Sequence, residues 1–337
     1  MTQTYRLPQK LNSFQERMYI HLIEWKWKHV TTERGAYNYK GKSYEYDAIL
    51  PKSDHESFPI IYPPALSDLK KLKAKFDFKF HEHFNHMASS QAANANLFLP
   101  ILLHPKANDI FKQLIPNFSR LATDELYKGF RIEFWDGNSN LEKGILKDHS
   151  AIAGTDSDIA IAYYNTADEL CLWLVEHKLT EAEFTVCGGY KSKGRNPKRH
   201  LCEKSFSAII RNKELCYYHD GSKFEYWNIT EANQSFFVNQ AKHISCPFKE
   251  GMNQLWRNQL LGFAIEKQGK YKHVHFSVVH HHDNHSLCKS IADYKDLIGN
   301  NPKFSLLTSA DVVRAASNIE DGDLGQWIEW YKELYMV

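Results

Sequence analysis

The chain has 337 residues, 42 Lys and Arg against 40 Asp and Glu, and a net charge of +2. Its composition is that of an ordinary globular chain, long enough to bury a large core as one elaborate domain or two modest ones. The longest apolar run, "LFLPILL" at 97–103, is too short to span a bilayer, and "MTQTYRLPQKLN" lacks the charged-then-apolar order of a secretory signal, so the expectation is a cytoplasmic protein with no membrane partner.

There are no long repeats, low-complexity tracts or Gly/Ser linkers, which favours one continuous domain with embellishments. A first helix is expected at "SFQERMYIHLIEWKWKHV", with Ser13 and Glu16 as a capping box. A Tyr- and Gly-rich hairpin or loop follows, then a basic helix from Leu66 running into a second helical stretch that ends near Pro100. "ANDIFKQLIPNFSRLATDELYKG" reads as helical, interrupted by Pro116.

From Phe130 the period changes to two, and "FRIEFWDG" reads as a strand. "DIAIAYY" and "CLWLVEHKL" are two more, joined by "NTADE"; their nearly continuous apolar character suits strands buried on both faces. A helix is expected from Thr180, capped with Glu183. "MNQLWRNQLLGFAIEKQG" reads as a helix, "KHVHFSVVHHH" as a strand and "QWIEWYKELYMV" as a closing helix. The elements add up to an α/β sandwich around a mixed sheet.

Three ionisable groups interrupt this apolar pattern. Asp158 opens one strand, and Glu176 and Lys178 sit two apart near the end of the next, so they share a face while His177 points the other way. A hairpin pairing would bring Asp158 beside Glu176. Burying such groups without partners is costly, and a divalent cation, Mg²⁺ or Mn²⁺, resolves the problem by using carboxylates, water and substrate phosphate as ligands. The Lys178 amine could then orient water or offset negative charge. The alternative is an ordinary strand-end ion pair. Asp156 has the same parity as Asp158 and is a second candidate ligand. Glu133, on the neighbouring strand, is either a further acidic ligand or an acid paired with a nearby base.

Between Gly188 and Lys213 lie eight Lys and Arg against the single acid Glu203. The run suits a phosphate backbone, with Lys191, Lys193, Arg195, Lys198 and Arg199 as the candidate DNA-binding residues; the alternative is a solvated loop.

Asp158 followed eighteen residues on by "EHK" resembles the PD-(D/E)xK nuclease superfamily. More closely, "SSQAANANLF", "TDSDIAIAY", "LVEHKLTEAEF" and "CPF…NQLWRNQLLGFA" in that order resemble a family of bacterial restriction endonucleases within it. The resemblance runs from about Ser89 to Ala264; Ser157 stands where the superfamily's name has Pro. It implies a restriction-endonuclease-like α/β core of order α-β-β-β-α-β, with a mixed central sheet flanked by helices and a helical N-terminal extension. It also implies that Asp158 and Glu176 bind Mg²⁺ with help from the His177 backbone carbonyl, that Lys178 is the catalytic amine, and that the products carry a 5′-phosphate.

On this footing the expected organisation is a mostly helical region 1–125 packed on the core, a PD-(D/E)xK-like nuclease core 126–300 and a C-terminal helical extension 301–337. The expected activity is metal-dependent endonucleolytic hydrolysis of DNA in restriction or defence. A homodimer and a cognate methyltransferase are the partners such a role could bring. Alternatives are repair or mobile-element processing, and a DNA-binding protein on a nuclease scaffold that does not cut.

Cys187, Cys202, Cys216 and Cys246 are separated by fourteen, thirteen and twenty-nine residues, without the close pairs of most zinc sites. They read either as buried thiols or as ligands of a structural zinc ion or iron–sulfur cluster. "HEHFNH" and "HHHDNH" are weaker metal candidates, the first on a helix face and the second at a strand end and turn.

Overall fold

The structure, a computed structural model, describes residues 4–76, 78–135, 142–150, 153–192, 194 and 196–337, with Tyr39 described by its backbone alone. In chain order the strands are β1 (Gly35–Tyr39), β2 (Lys42–Tyr46), β3 (Phe118–Leu121), β4 (Phe130–Phe134), β5 (Ser157–Asn165), β6 (Leu170–Lys178), β7 (His273–His280) and β8 (Phe304–Thr308). The α-helices are α1 (Ser13–His29), α2 (Pro63–Phe76), α3 (Ser90–Leu102), α4 (Ala107–Leu114), α5 (Gly188–Lys191) and α6 (Phe206–Arg211) in the first part of the chain. They continue with α7 (Tyr217–Asp220), α8 (Tyr226–Ala232), α9 (Asn253–Lys267), α10 (Cys288–Leu297), α11 (Ser309–Ser317) and α12 (Gly322–Tyr335).

β1 and β2 form a separate hairpin, and the other strands make one six-stranded mixed sheet in the order β3-β5-β6-β7-β8. β5 is nine residues long and has room for two partners on its outer edge: β4 pairs with its first half and β3 with its second. β5 and β6 are antiparallel, whereas β6, β7 and β8 run parallel, which requires crossovers through α9 and α10. This is a restriction-endonuclease-like α/β fold.

Helices cover both faces, which explains why β5 and β6 are apolar at nearly every position. Ile159, Ile161, Trp173, Val175 and Val279 pack against α1, α3, α4, α11 and α12 on one face. Ala160, Ala162, Leu172, Leu174 and Val278 pack against α8, α9 and α10 on the other. Each fully buried Val, Leu or Ile side chain contributes about 1.5–3 kcal/mol, a reserve against which charged groups at the strand ends can be held.

Local details depart from the sequence expectations for identifiable reasons. The cap of α1 is Asn12, not Ser13: its side chain accepts from the Gln15 N–H (2.9 Å), and Gln15 Oε1 accepts from the Asn12 N–H (3.0 Å). Pro100 does not end α3; the Asn96 carbonyl, which cannot receive an N–H from Pro100, accepts the Trp327 indole N–H at 2.8 Å instead. Beyond Pro116 the chain forms the edge strand β3 rather than a helix. The stretch 81–86 is not helical: residues 82–85 form a turn and His86 an isolated bridge to Ile49.

No helix starts at Thr180. The backbone there is held by side chains, with Asn284 Nδ2 donating to the Leu179 and Glu181 carbonyls (3.2 and 2.9 Å) and Gln15 Nε2 to that of Thr180 (2.8 Å). β8 joins the sheet from within the stretch expected to be a helical extension.

Candidate active site

Ile159 pairs with Val175, so one step further along each strand sets Asp158 opposite Glu176. On the other side of β5, Ile132 pairs with Ile159 and Phe134 with Ser157, so Glu133 falls opposite Asp158. Three acids therefore stand in a row across three adjacent strands. Glu133 has φ +50°, a left-handed conformation that costs a non-glycine residue on the order of 1–3 kcal/mol. It breaks the strand's alternation: Phe130 and Ile132 lie in one core and Phe134 in the other.

Lys178, two residues beyond Glu176 on the same face, places Nζ 2.8 Å from Glu176 Oε1 and 3.9 Å from Glu181 Oε1. Glu176 is 2 % and Lys178 8 % exposed, so solvent cannot supply their polar partners. Amides do. Gln254 Nε2 donates to Glu176 Oε1 (2.6 Å) and Asn258 Nδ2 to Oε2 (2.7 Å), from positions four apart on one face of α9. Asp158 Oδ2 accepts the His177 peptide N–H at 2.6 Å, and its carbonyl accepts Asn94 Nδ2 at 3.1 Å. Gln91 Nε2 donates to Glu133 Oε1 at 2.8 Å. α3 and α9 thus clamp the row from opposite faces of the sheet.

The electrostatics are unbalanced. Burial raises the Glu133 carboxyl to about 8, and Asp156 and Glu176 add to the rise against the Gln91 hydrogen bond and Lys178. Burial also lifts Asp158 well above the usual carboxylate range, reinforced by Glu176 and Glu133 and opposed by Lys178 and the His177 N–H. Burial alone would lower the Lys178 ammonium, but Glu176, Glu181 and Asp158 together outweigh it and hold it above the usual lysine range. Three acids around one ammonium, all oxygen donors, match what a hard divalent cation requires. The repulsion among them is the feature such a cation would relieve.

The structure thus brings Asp158, Glu176, Lys178 and Glu133 together. His177 turns its ring to the opposite face, with Nε2 3.4 Å from Ser309 Oγ, while its peptide lies at the edge of the site. Burial lowers the His177 imidazole to about 4, which keeps it neutral. Asp156 precedes β5 and pairs with His149, Nε2 to Oδ1 2.7 Å, with the His149 ring stacked on Trp135.

The basic run is partly spent inside the chain: Lys198 Nζ lies 2.5 Å from Asp220, and Arg199 lies over the Tyr190 ring and donates to its carbonyl. Lys191 is exposed at the end of α5; Lys193 and Arg195 lie outside the described residues. Cys187, Cys202, Cys216 and Cys246 all line one small cavity on the far side of α9, beside Trp256.

Sequence reasoning missed the braces Asn94, Gln254 and Asn258. Their neighbours on α9 are engaged differently: Arg257 donates to the Gly154 carbonyl (3.3 Å), and Gln259 is fully buried. The signal that could have found Gln254 and Asn258 is a pair of amides four apart in a helix following the Glu-x-Lys strand.

The fold and the carboxylate–lysine row define a restriction-endonuclease-like protein. The chain belongs to the family described as Restriction Endonuclease associating with ARP, whose model matches residues 26–336. No curated protein and no solved structure matches the chain. Among the described residues, no helix is long and apolar enough to cross a membrane.

Proposed function

We propose that the protein is a divalent-cation-dependent endonuclease that hydrolyses DNA phosphodiester bonds in restriction or defence. The observation that carries this reading is the buried contact of Lys178 Nζ with Glu176 Oε1 directly beside Asp158, at the ends of adjacent strands. Family membership supports nuclease chemistry, and the family's description adds association with ARP, which we carry to this chain as part of the same reading. The likeness to PD-(D/E)xK nucleases supports the assignment of roles.

Asp158 and Glu176 would hold Mg²⁺ or Mn²⁺, with Glu133 and the His177 carbonyl next to them. When bound, the cation supplies Lewis-acid charge and lowers the pKa of water. Glu176, Glu181 and Asp158 hold the Lys178 ammonium above the usual lysine range, and its proposed task is to orient the attacking water and offset charge on the phosphate. Gln254 and Asn258 fix the Glu176 rotamer, and through it the position of Lys178. Exposed bases of the 191–199 run would meet the phosphate backbone, and cutting both strands would call for a two-fold homodimer.

The test is cleavage of supercoiled and linear DNA with Mg²⁺ or Mn²⁺ by wild type, Glu176→Ala and Lys178→Ala. Cutting by wild type alone is the expected result. If all three bind DNA and none cuts, the protein is a binding scaffold and the catalytic reading is wrong.

A further inference from the structure

Cys187, Cys202, Cys216 and Cys246 are spread over sixty residues of chain, yet all four line one cavity of about 20 Å³. Each comes from a different turn. Cys187 precedes α5, Cys202 lies in a 3-10 turn at Arg199–Glu203, Cys216 joins a 3-10 turn to α7, and Cys246 precedes a 3-10 turn at Pro247–Lys249. The turns carrying Cys202 and Cys246 touch through a Cys246 N–H to Cys202 carbonyl hydrogen bond at 3.4 Å. All four sulfurs are free thiols, so no disulfide explains the convergence.

The cavity is large enough for one water-sized sphere, but the rest of its wall is mostly apolar, including Trp227 and Trp256. Thiols are weak hydrogen-bonding partners, so a water there would lack the two to four partners it needs. What four thiols around such a space bind well is a thiophilic metal. A single zinc ion with Zn–S bonds of about 2.3 Å draws tetrahedral sulfurs to roughly 3.8 Å apart. Among the described residues, the group with three ligand atoms within 4.8 Å of one another is His281, His282 and Asp283, not the cysteines. Both His281 nitrogens are already engaged, by the Tyr335 carbonyl and the Asp283 N–H, so that group is no rival. The cysteine sulfurs therefore stand wide, so they either close in on zinc or span an iron–sulfur cluster.

We propose that Cys187, Cys202, Cys216 and Cys246 hold a thiophilic metal centre, a zinc ion or an iron–sulfur cluster, through four thiolates. Each thiol gives up its proton as its sulfur bonds the metal. The centre would staple the segment 187–249, whose helices α5 to α8 have at most seven residues each, against α9. The proposal stands independently of DNA cleavage.

The test begins with the full-length chain purified anaerobically without chelator, desalted and analysed for zinc, iron and acid-labile sulfide. About one zinc per chain, or iron with matching sulfide and visible absorbance, is expected. Cys202→Ser and Cys246→Ser should lose at least tenfold of that metal, whereas Cys171→Ser and Cys288→Ser should keep it. Because the cavity variants could misfold, a second measurement uses the wild type: a thiol-modifying reagent under native conditions should release the metal in step with modification of the four thiols. Wild type that holds neither metal after reconstitution overturns the proposal. So does metal retained by the cavity variants, or metal released before those thiols react.

Discussion

Asp158 and Glu176 are placed by strand register, while the four cysteines are placed by turns between helices of one or two turns. In the first region the backbone is fixed by the ladder, and buried Val, Ile and Leu supply the stability that tolerates three neighbouring acids. In the second, regular structure is confined to short helices and 3-10 turns, and the chain is held by buried aromatic rings, Phe206, Tyr226, Trp227, Phe237 and Phe248, in one cluster with Trp256. The acidic site spends fold stability on charge, whereas the cysteine site would gain stability from a ligand. The two centres lie on either side of α9, which lends Gln254 and Asn258 to one and Trp256 to the other.

The largest effect should come from the acidic row. Lys178→Ala should lower DNA cleavage by roughly 10²–10³-fold or more while leaving DNA binding intact. It also leaves Glu176 buried without its cation, a loss of about 3 kcal/mol in the metal-free protein. Kinetics and urea denaturation check both. Retention of zinc or iron by this variant would show the two centres to be separate, while its loss would break the contrast drawn between them.

Asn258→Ala and Gln254→Ala should cost about 10–100-fold in cleavage or in Mg²⁺ affinity, the usual scale for a partner that orients a metal-binding carboxylate. Raising the Mg²⁺ concentration should recover part of the loss, whereas it should do nothing for Lys178→Ala. Activity equal to wild type at low Mg²⁺ would show that Glu176 holds its position without them.

The acid row should also be visible as a pH dependence. Glu133 titrates near 8 when folded against an ordinary value of 4.5, so the folded state binds this proton more tightly than the unfolded state. Stability of the metal-free protein is therefore greatest near pH 4.5 on this account and declines as pH rises to about 8, where the loss is complete. Glu133→Gln should make that decline shallower, leaving the part of the same sign that the raised Asp158 carboxyl contributes, and Mg²⁺ should restore stability to wild type at the alkaline end. An unchanged pH slope in the variant would show that Glu133 is not the source.

What was legible in the sequence follows the same division. Period-two and continuous apolar patterning located β4, β5 and β6; strand parity, a local rule, put Glu176 and Lys178 on one face, and the expected hairpin pairing brought Asp158 beside Glu176. β3 was missed because four residues carry too little periodicity to outweigh the helical stretch before Pro116. The left-handed turn of Glu133 has no glycine to announce it. The amide braces depend on which faces of α3 and α9 meet the sheet, a tertiary fact. The cysteines were identified as a set, but gaps of fourteen, thirteen and twenty-nine residues obey no local rule that brings them to one cavity.

The smallest effect distinguishes lysines that sequence treats alike. Lys198 is tied to Asp220 at 2.5 Å, and binding a phosphate would require giving up that partner. Lys191, exposed at the end of α5, has no such cost among the described residues. Counterion release makes each phosphate contact contribute about 0.9 to the slope of log affinity against log salt. Lys191→Ala should therefore reduce that slope by about one and weaken binding several-fold at low salt, equally for all sequences. Lys198→Ala should leave the slope near wild type while loosening the turn around Asp220. Binding isotherms at several salt concentrations separate the two, and equal slope changes would mean that the Lys198–Asp220 pair opens on DNA.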